Sequence, residues 1–407
     1  MASAVLSLAL AGSPFATVAR AVEPVPCPIV HVQPVGPVPP PSPMPSHGPE
    51  TPVVGGPEMA TTGLAVPAGS PALPGVLSAT SWVVADLDSG AVLGACAPHA
   101  YSPPASVQKL LLAATVMPKL DPAQMVTITP TDLDFERGSS AVGLVLGGQY
   151  TVETLWLGLF LNSGNDCAQT LARLGGGDRG VRGTIDDMNA EAKRLGALET
   201  HAATPSGLDG PGQVTSAYDL ALIFRADFGR SDFRRYDSAL RADIPPQPPQ
   251  YPKGYQIQND NALLFQYPGA LGGKVGFTDL ARHTYVGAAE RNGRRLVVTM
   301  LNAEMMPVRA WQQSAALLDW GFSLPSDATV GRLVNPGELE PKPSPSATPL
   351  VAARQDAATP ASGPRALTLA AIAAVVVAFV GASFGLIVRS RRRSRSVRRP
   401  ETPAPLP

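Results

Sequence analysis

The distribution of proline along this 407-residue chain limits where a packed core can form. Residues 22–54 contain 12 prolines, and residues 336–364 contain seven. Because proline fixes φ and donates no backbone hydrogen bond, segments this rich in proline favour extended, solvated linkers. We therefore predict one globular domain over residues 78–325, with a linker before it (22–77) and another after it (326–365).

The segment after the second linker has the composition of a membrane span. Residues 366–388 run for 23 positions without a charge, which as a helix is about 35 Å, enough to cross a bilayer. The alternative, a buried core helix, rarely stays uncharged over this length. Seven of the eleven residues 389–399 are Arg, and the positive-inside rule puts the tail (389–407) in the cytoplasm. This predicts a single-pass protein of the cell membrane with its domain outside.

The beginning of the chain agrees with export. Residues 1–21 contain a short apolar core and end in the small-x-small site Ala19-Arg20-Ala21, which predicts a secretory signal peptide, although the usual basic leader is missing. Cys27, Cys96 and Cys167 are an odd number for an exported protein. A Cys96–Cys167 disulfide and a set of unpaired thiols are both compatible with this pattern.

Charge and residue spacing exclude two classes of partner. Up to Val388 the chain carries 25 basic and 31 acidic residues, whereas a nucleic-acid-binding protein presents a basic surface. The five histidines are scattered, and no Cys/His cluster has the spacing of a metal site. We therefore expect no nucleic-acid partner, no metal and no organic cofactor.

The order of strand and helix patterns in the domain predicts an α+β fold. Two β-rich runs around Asp88-Ser89-Gly90 predict a hairpin, and three further strands are predicted near the C-terminal end of the domain. Helical patterns lie between them, and a last helix has Trp311, Ala315, Leu318 and Phe322 on one stripe. This order predicts one antiparallel sheet with strands from both ends of the domain and an all-helical lobe inserted in the middle. The three later strands are expected at 270–279, 282–290 and 294–303. Helices are expected at 106–118, on both sides of Asn162-Ser163-Gly164, at 184–195, from Thr215 or Ser216 to Phe224, and at 307–322.

The stretch "SPPASVQKLLLAA" places Ser106 three residues before Lys109 at a predicted helix start. Residues three apart share a helix face, so the hydroxyl and the amine can meet. Serine is a weak nucleophile unless a base takes its proton, and lysine is a base only when burial or a nearby cation lowers its pKa. An equally ordinary interpretation is a helix N-cap followed by a solvated lysine.

Lysine usage favours the chemical interpretation. The chain has 26 Arg and six Lys, and Arg cannot lose its proton in a protein. Two of the six lysines lie where chemistry is expected, Lys109 and Lys274. Lys274 is part of "GGKVGFT" on a predicted strand, and Ser163-Gly164-Asn165 occupies a turn between two predicted helices.

The three short patterns occur in the order Ser-x-x-Lys, Ser-x-Asn and Lys-x-Gly, the signature set of penicillin-binding proteins and class A β-lactamases. Together with connecting text such as "PSGLDGPGQVTSAYDLA", they show that the chain resembles the serine-type D-Ala-D-Ala carboxypeptidases. These enzymes are low-molecular-mass penicillin-binding proteins, and the chain resembles their membrane-anchored actinobacterial members. The resemblance runs from about Thr80 to Phe322 and implies a transpeptidase-like fold.

The resemblance implies a role for each motif residue. Ser106 would be acylated, Lys109 would accept its proton, and Ser163 would relay the proton to the leaving D-Ala. Substrate binding would fall to Asn165, Lys274, Phe277 and Thr278, with the backbone N–H groups of Ser106 and Phe277 forming the oxyanion hole. The implied ligands are the peptidoglycan stem peptide and β-lactams.

One residue departs from the family pattern. The family usually has Thr where this chain has Val275, so a hydroxyl beside the substrate carboxylate is missing and Thr278 is the nearest substitute. Two alternatives follow: a non-catalytic peptidoglycan-binding or penicillin-binding protein weakened by Val275, and a β-lactamase or transpeptidase on the same scaffold. The Glu-x-x-Leu-Asn loop of class A β-lactamases is not visible in the chain.

Overall fold

The computed structural model describes residues 24–40, 43–48 and 54–340. The predicted signal peptide, the membrane span over 366–388, the basic tail and the linker beyond residue 340 lie outside these ranges. Within them, no helix has both the length and the apolar character needed to cross a bilayer.

A seven-stranded antiparallel sheet forms the centre of the domain. Its strand order is β1-β3-β2-β10-β9-β8, and β11 pairs with β3. The strands of the two ends meet where β2 pairs with β10, which confirms the predicted α+β arrangement. The strands are β1 (Leu64–Ala65), β2 (Ser81–Asp86), β3 (Ala91–Cys96), β8 (Ala270–Thr278), β9 (Arg282–Arg291), β10 (Arg294–Ala303) and β11 (Gly331–Arg332).

The helices form the inserted lobe and the two covers of the sheet. The predicted helices are present, and the junction of two of them falls at Ser163-Gly164. The helices are α1 (Lys109–Val116), α2 (Val152–Leu161), α3 (Asn165–Gly176), α4 (Gly180–Leu195), α5 (Ala217–Phe228), α6 (Ser231–Asp237), α7 (Leu263–Gln266) and α8 (Ala310–Ser323). The short helices α6 and α7 were not predicted.

Both faces of the sheet are buried because its side chains alternate between two cores. On β2, Val83 and Ala85 belong to the core on the side of α1 and α5, whereas Trp82 and Val84 belong to the core beneath α8. Helix α1 is apolar almost all round and packs against α3, α4 and α5. A lysine at its first position is therefore carried into the interior.

The helix cap, the helix end and the hairpin turn that the sequence predicts are present in the structure. Ser216 caps α5 by accepting a hydrogen bond from the N–H of Asp219 at 3.1 Å. Gly196 ends α4 with φ +83°. Asn292 and Gly293 both have positive φ in the β9–β10 turn, as a type I′ hairpin requires.

The prediction that residues 22–77 form a solvated linker is wrong for residues 54–77, whereas the described residues 24–40 and 43–48 are mostly exposed and have no helix or strand. Val54, Met59 and Leu77 are buried in the domain, and β1 pairs with β3. Cys27 forms a disulfide with Cys96. Proline content does not show whether a segment packs against a domain, and here strand β1 pairs with an edge of the sheet.

The cysteine pairing also differs from the sequence-based possibilities. Cys96 bonds to Cys27 and not to Cys167, which is a buried free thiol in α3. The sequence analysis did not consider this pairing, because it placed Cys27 in a solvated linker, whereas the N-terminal segment lies against β3.

The domain also extends further than predicted at its C-terminal end. Strand β11 and the buried side chains Val330, Leu333 and Val334 lie beyond residue 325. They pack where β3 would otherwise present an open edge, so residues up to 340 belong to the domain.

Helix α8 buries a different stripe from the predicted one. Of the four predicted residues only Leu318 is buried, while Trp311 and Phe322 are half-buried. The buried face contains Ser314, Leu317 and Gly321. The helix lies so close to the sheet at this face that a Cβ added at Gly321 would be 2.9 Å from the side chain of Val84.

Two small two-stranded sheets were not predicted from the sequence. One pairs β4 (Met125–Thr127) with β5 (Gln149–Thr151), and the other pairs β6 (Arg241–Ile244) with β7 (Tyr255–Gln258).

Candidate active site

Ser106 lies in a short 3-10 turn, Ala105–Gln108, that leads directly into α1. The turn is held tightly on two sides. A Cβ at Gly207 would lie 1.8 Å from the carbonyl oxygen of Ala105, and a Cβ at Gly276 would lie 2.8 Å from the backbone nitrogen of Ser106. Only glycine allows this approach, so both β8 and the loop that contains Gly207 fix the position of the serine.

The Nζ atom of Lys109 has three polar neighbours. It lies 2.8 Å from Ser106 Oγ, 2.8 Å from Asn165 Oδ1 and 3.0 Å from the carbonyl oxygen of Ser206. A neutral amine has two hydrogens and one lone pair. Two N–H groups can donate to Asn165 and Ser206, and the lone pair then faces the Ser106 hydroxyl as an acceptor.

The surroundings of Lys109 favour this neutral form. Its side chain is fully buried, and burial lowers its pKa well below the usual range. The positive charge of Lys274 lowers the pKa further, against smaller opposite effects of Cys167 and Asp166. The predicted contact between Ser106 and Lys109 is thus present, with the amine in an environment suited to a base.

Ser163 and Asn165 stand at the junction of α2 and α3. Asn165 accepts from Lys109 through Oδ1 and donates through Nδ2 to Ser139 Oγ at 2.9 Å. Ser163 has φ +56° and is 5% exposed. Its buried Oγ has no hydrogen-bond partner within the described residues, although it lines the same cleft as Ser106.

Lys274 occupies a buried position on β8. Its Nζ donates to the carbonyl oxygen of Val275 at 2.9 Å. Burial lowers its pKa to about 8, while the nearby Asp260 and Asp237 act in the opposite direction. Asp237 is itself buried, accepts the N–H of Gly273 at 2.7 Å and has a pKa raised to about 8 by burial.

The end of β8 forms one wall of the cleft. Phe277 is 46% exposed there. The hydroxyl of Thr278 donates to Asp209 Oδ1 at 2.8 Å and accepts the N–H of Ala281 at 3.0 Å. It is therefore already engaged on both sides, and it is less available as a substitute for the hydroxyl missing at Val275 than the sequence suggested.

The cleft brings most of the predicted site residues together. It has a volume of about 410 Å³. Lys109 and Lys274 are buried behind its surface and are not among the lining residues. A second cavity of about 230 Å³ shares Val275, Gly276 and His283 with it and adds Arg309. The cleft is lined by Ser106, Gly138, Ser139, Ser140, Ser163, Asn165, Gly207, Leu208, Asp260, Val275, Gly276, Phe277, Thr278 and His283.

Sequence reasoning missed the residue that shapes the cleft rim. The Asp166 carboxylate accepts the N–H groups of Val142, Gly143 and Leu144 at 3.1, 2.8 and 3.0 Å. This fixes the loop that carries Ser139, the partner of Asn165. An acidic residue in the first turn of a helix was a visible feature, but nothing in the sequence showed which distant backbone it binds.

Comparison with known proteins identifies the family. The family described as D-alanyl-D-alanine carboxypeptidase matches residues 68–305, more than half of the chain. The chain belongs to this family. D-alanyl-D-alanine carboxypeptidase DacB2 of Mycobacterium tuberculosis is 45% identical over 273 residues, which cover 66% of this chain and 90% of that protein. DacD of Escherichia coli is 32% identical over 259 residues, which cover 61% and 64% respectively.

Two solved structures match the fold of the domain. The D-alanyl-D-alanine carboxypeptidase from M. tuberculosis matches with a TM-score of 0.62 and 43% identity, over 66% of this chain and 100% of that one. The Streptomyces K15 DD-transpeptidase matches with a TM-score of 0.57 and 26% identity, over 63% and 100%. The predicted fold and the predicted class, a serine-type D-Ala-D-Ala carboxypeptidase and hence a hydrolase, are confirmed. The alternative of a merely binding protein is disfavoured.

Proposed function

We propose that this carboxypeptidase removes the terminal D-Ala from peptidoglycan stem pentapeptides through an acyl-enzyme on Ser106. The observation that carries the proposal is the arrangement at Lys109, a fully buried amine 2.8 Å from Ser106 Oγ with two other acceptors for its hydrogens. This arrangement suits an amine that takes a proton from the serine and does not suit a solvated, permanently charged lysine.

Acylation begins when Lys109 takes the hydroxyl proton of Ser106. The Ser106 oxygen bonds to the carbonyl carbon of the penultimate D-Ala, and the carbonyl oxygen becomes an oxyanion. The N–H groups of Ser106 and Phe277 receive that charge. One such donor contributes about 3 kcal/mol to transition-state stabilisation in a comparable hydrolase.

The C–N bond to the terminal D-Ala then breaks, and its amine needs a proton. Ser163 is suited to pass this proton from Lys109, because Ser163 lines the cleft and its buried Oγ is not committed to another partner within the described residues. Water later attacks the ester carbon, Lys109 takes the water proton, and Ser106 leaves as the restored hydroxyl. Neither step uses a metal or an organic cofactor.

The substrate backbone has a natural place along β8. This strand is the last in the sheet order. Its outer edge is bonded to Asp237 at Gly273, but it pairs with no further strand within the described residues, so the part of the edge beyond Gly273 can take an extended peptide as an added strand. Lys274 on this strand supplies a positive charge toward the terminal carboxylate of the substrate. The same charge lowers the pKa of Lys109 and so links substrate binding to base strength.

The pKa of Lys274 predicts an alkaline limit. Lysine is cationic below its pKa, which burial lowers to about 8, so acylation efficiency should fall as pH rises through about 8. Lys274→Arg should keep its charge in this range and flatten the alkaline limb, at a cost of less than about tenfold at pH 7. The measurement is the pH dependence of kcat/KM for D-Ala release.

Lys119→Arg is the matched control, because Lys119 is an exposed lysine paired with Asp187 at 2.7 Å. Its profile should equal that of the unmodified enzyme. An alkaline limb that persists unchanged in Lys274→Arg would show that another group sets it and would contradict the role of Lys274.

Val275→Thr should raise acylation efficiency. Val275 lines both cavities and has nearly the shape of Thr, so the exchange adds a hydroxyl beside the substrate carboxylate. The gain should be about tenfold for a bond of about 1.4 kcal/mol. Hydrolysis of the peptidyl-enzyme should change little, because the carboxylate has left with D-Ala.

Stopped-flow acylation by penicillin together with steady-state D-Ala release measures this gain. No gain would mean that another group already contacts the carboxylate. A loss of activity would mean that the apolar core beside Val275 does not accept a hydroxyl. Either result would contradict the assignment of this position.

A defined pentapeptide tests the overall activity. The enzyme should release one D-Ala per peptide and leave the resulting tetrapeptide intact. Under the same conditions penicillin should give a stable adduct with slow turnover. Rapid hydrolysis of penicillin with no release of D-Ala would favour a β-lactamase instead.

We propose that the domain works outside the cell, attached to the membrane through residues 366–388. The Cys27–Cys96 disulfide supports an oxidising compartment. In intact cells an added protease should cut the Pro-rich segment after residue 340 and spare an epitope fused to the Arg-rich tail. Loss of the tail epitope in intact cells would contradict this orientation.

A further inference from the structure

The described residues 24–40 and 43–48, called here the N-terminal arm, are fastened to the domain. Cys27 is bonded to Cys96 on β3, and the N–H of Val30 donates to the carbonyl oxygen of Leu77 at 2.7 Å. Further along the arm, the ring of His47 stacks on Tyr101 with centroids 4.9 Å apart. Tyr101 is five residues before Ser106 in the chain, so the arm contacts the segment that leads into the Ser106 turn.

Between these two attachments the arm is held by one arginine. The side chain of Arg282, at the start of β9, is 5% exposed. It pairs with Glu304 at 2.8 and 3.1 Å and donates to the carbonyl oxygens of Val35 at 2.8 Å and Pro37 at 3.2 Å. Extended Pro-rich backbone leaves its carbonyl groups without partners of its own, and a guanidinium has enough donors to bind two of them and a carboxylate.

The same guanidinium contacts the wall of the catalytic cleft. It lies 5.4 Å from the ring centroid of Phe277, within the range of a cation–π contact. The ring centroid of His283 lies 4.7 Å from that of Phe277. Phe277 is 46% exposed, so its ring is free of packing on much of its surface, and the contact with Arg282 helps to hold it at the cleft.

We propose that the N-terminal arm is a working part of the active site, in which Arg282 acts as a positioning residue that couples the arm to Phe277. This inference rests on the proposed function, which gives the Phe277 N–H a place in the oxyanion hole. Because the oxyanion donors must be correctly placed in the transition state, a shift of Phe277 slows catalysis more than it weakens substrate binding. The Cys27–Cys96 bond keeps the arm within reach of Arg282.

The chain offers a matched control on the same strand. Arg291, at the other end of β9, pairs with Asp319 at 2.7 Å and lies over the ring of Phe322 at 4.7 Å. Like Arg282 it has a carboxylate partner and an aromatic partner, although its side chain is 42% exposed, and within the described residues it contacts neither the arm nor the cleft. Comparison of the two glutamine variants separates positioning from the general loss of an ion pair.

Arg282→Gln should lower kcat for D-Ala release and the rate constant of acylation by penicillin about tenfold, with KM changed by less than twofold. Arg291→Gln should leave all three values within twofold. Arg282→Lys keeps the charge but replaces the planar fork of five donors by three donors on a single nitrogen, so it should give an intermediate kcat. The double variant Cys27→Ser/Cys96→Ser, with Arg282 intact, should lower kcat about threefold at unchanged KM.

The outcomes distinguish a failure of the proposed function from a failure of the inference about the N-terminal arm. If penicillin does not acylate the unmodified enzyme, the proposed function fails. If it does, and Arg282→Gln behaves as Arg291→Gln, the inference is wrong. A slow Arg282→Gln beside an unchanged double-cysteine variant would restrict the effect to Glu304 and Phe277 and contradict the role of the arm. Should Arg282→Gln fail to fold by circular dichroism, the double-cysteine variant decides.

Discussion

Ser106→Ala should abolish both D-Ala release and labelling by penicillin. Removal of the nucleophile costs about 10⁶-fold in kcat in a comparable serine peptidase. Ser106 is half-buried and lies at the cleft surface, so loss of its hydroxyl should leave the thermal unfolding temperature nearly unchanged. Release of D-Ala from a pentapeptide, followed by chromatography, measures the effect.

Ser140→Ala is the matched control for this variant. Ser140 lines the same cleft and is exposed, and its contact with Asn165 is made through the backbone carbonyl at 2.9 Å. This variant should keep nearly full activity. Persistent labelling of Ser106→Ala would place the nucleophile elsewhere.

Lys109→Arg should be nearly as inactive as Lys109→Ala. Arginine stays positively charged and cannot accept a proton, and general-base catalysis contributes about 10²–10⁴-fold. We expect a loss of about 10³-fold in the rate constant of acylation. The two lysine positions should differ clearly, because Lys274→Arg should lose less than about tenfold.

Stopped-flow acylation of the three variants tests this contrast, with circular dichroism to establish that each is folded. Equal losses in Lys109→Arg and Lys274→Arg would mean that both lysines act only as charges. The argument from the scarcity of lysine in the chain would then fail.

Local sequence allowed the contact between the two site residues that are close in the chain but did not require it. A helix start permits Ser106 and Lys109 to meet, yet the same stretch is compatible with a solvated lysine, and the motifs elsewhere in the chain decided between the two interpretations. The other partners of Lys109 lie 56 and 97 residues away. Those contacts depend on the path of the whole domain, and only resemblance to a family could indicate one of them, Asn165.

The errors at the edges of the domain have a related cause. Proline content correctly predicts that residues 24–40 have no regular secondary structure, but it does not tell whether such a segment packs. Cys27 and Met59 do pack, because the domain offers them an unpaired strand edge and an apolar surface. Only tertiary structure contains this information.

The most direct test of the account is the site of the penicillin adduct. The enzyme would be incubated with penicillin, digested, and mapped by tandem mass spectrometry at several times. The account predicts an ester-linked adduct on the peptide that contains Ser106, present in the unmodified enzyme and slow to disappear, and absent from Ser106→Ala. An adduct on any other residue, or none in an enzyme that still releases D-Ala, would contradict it.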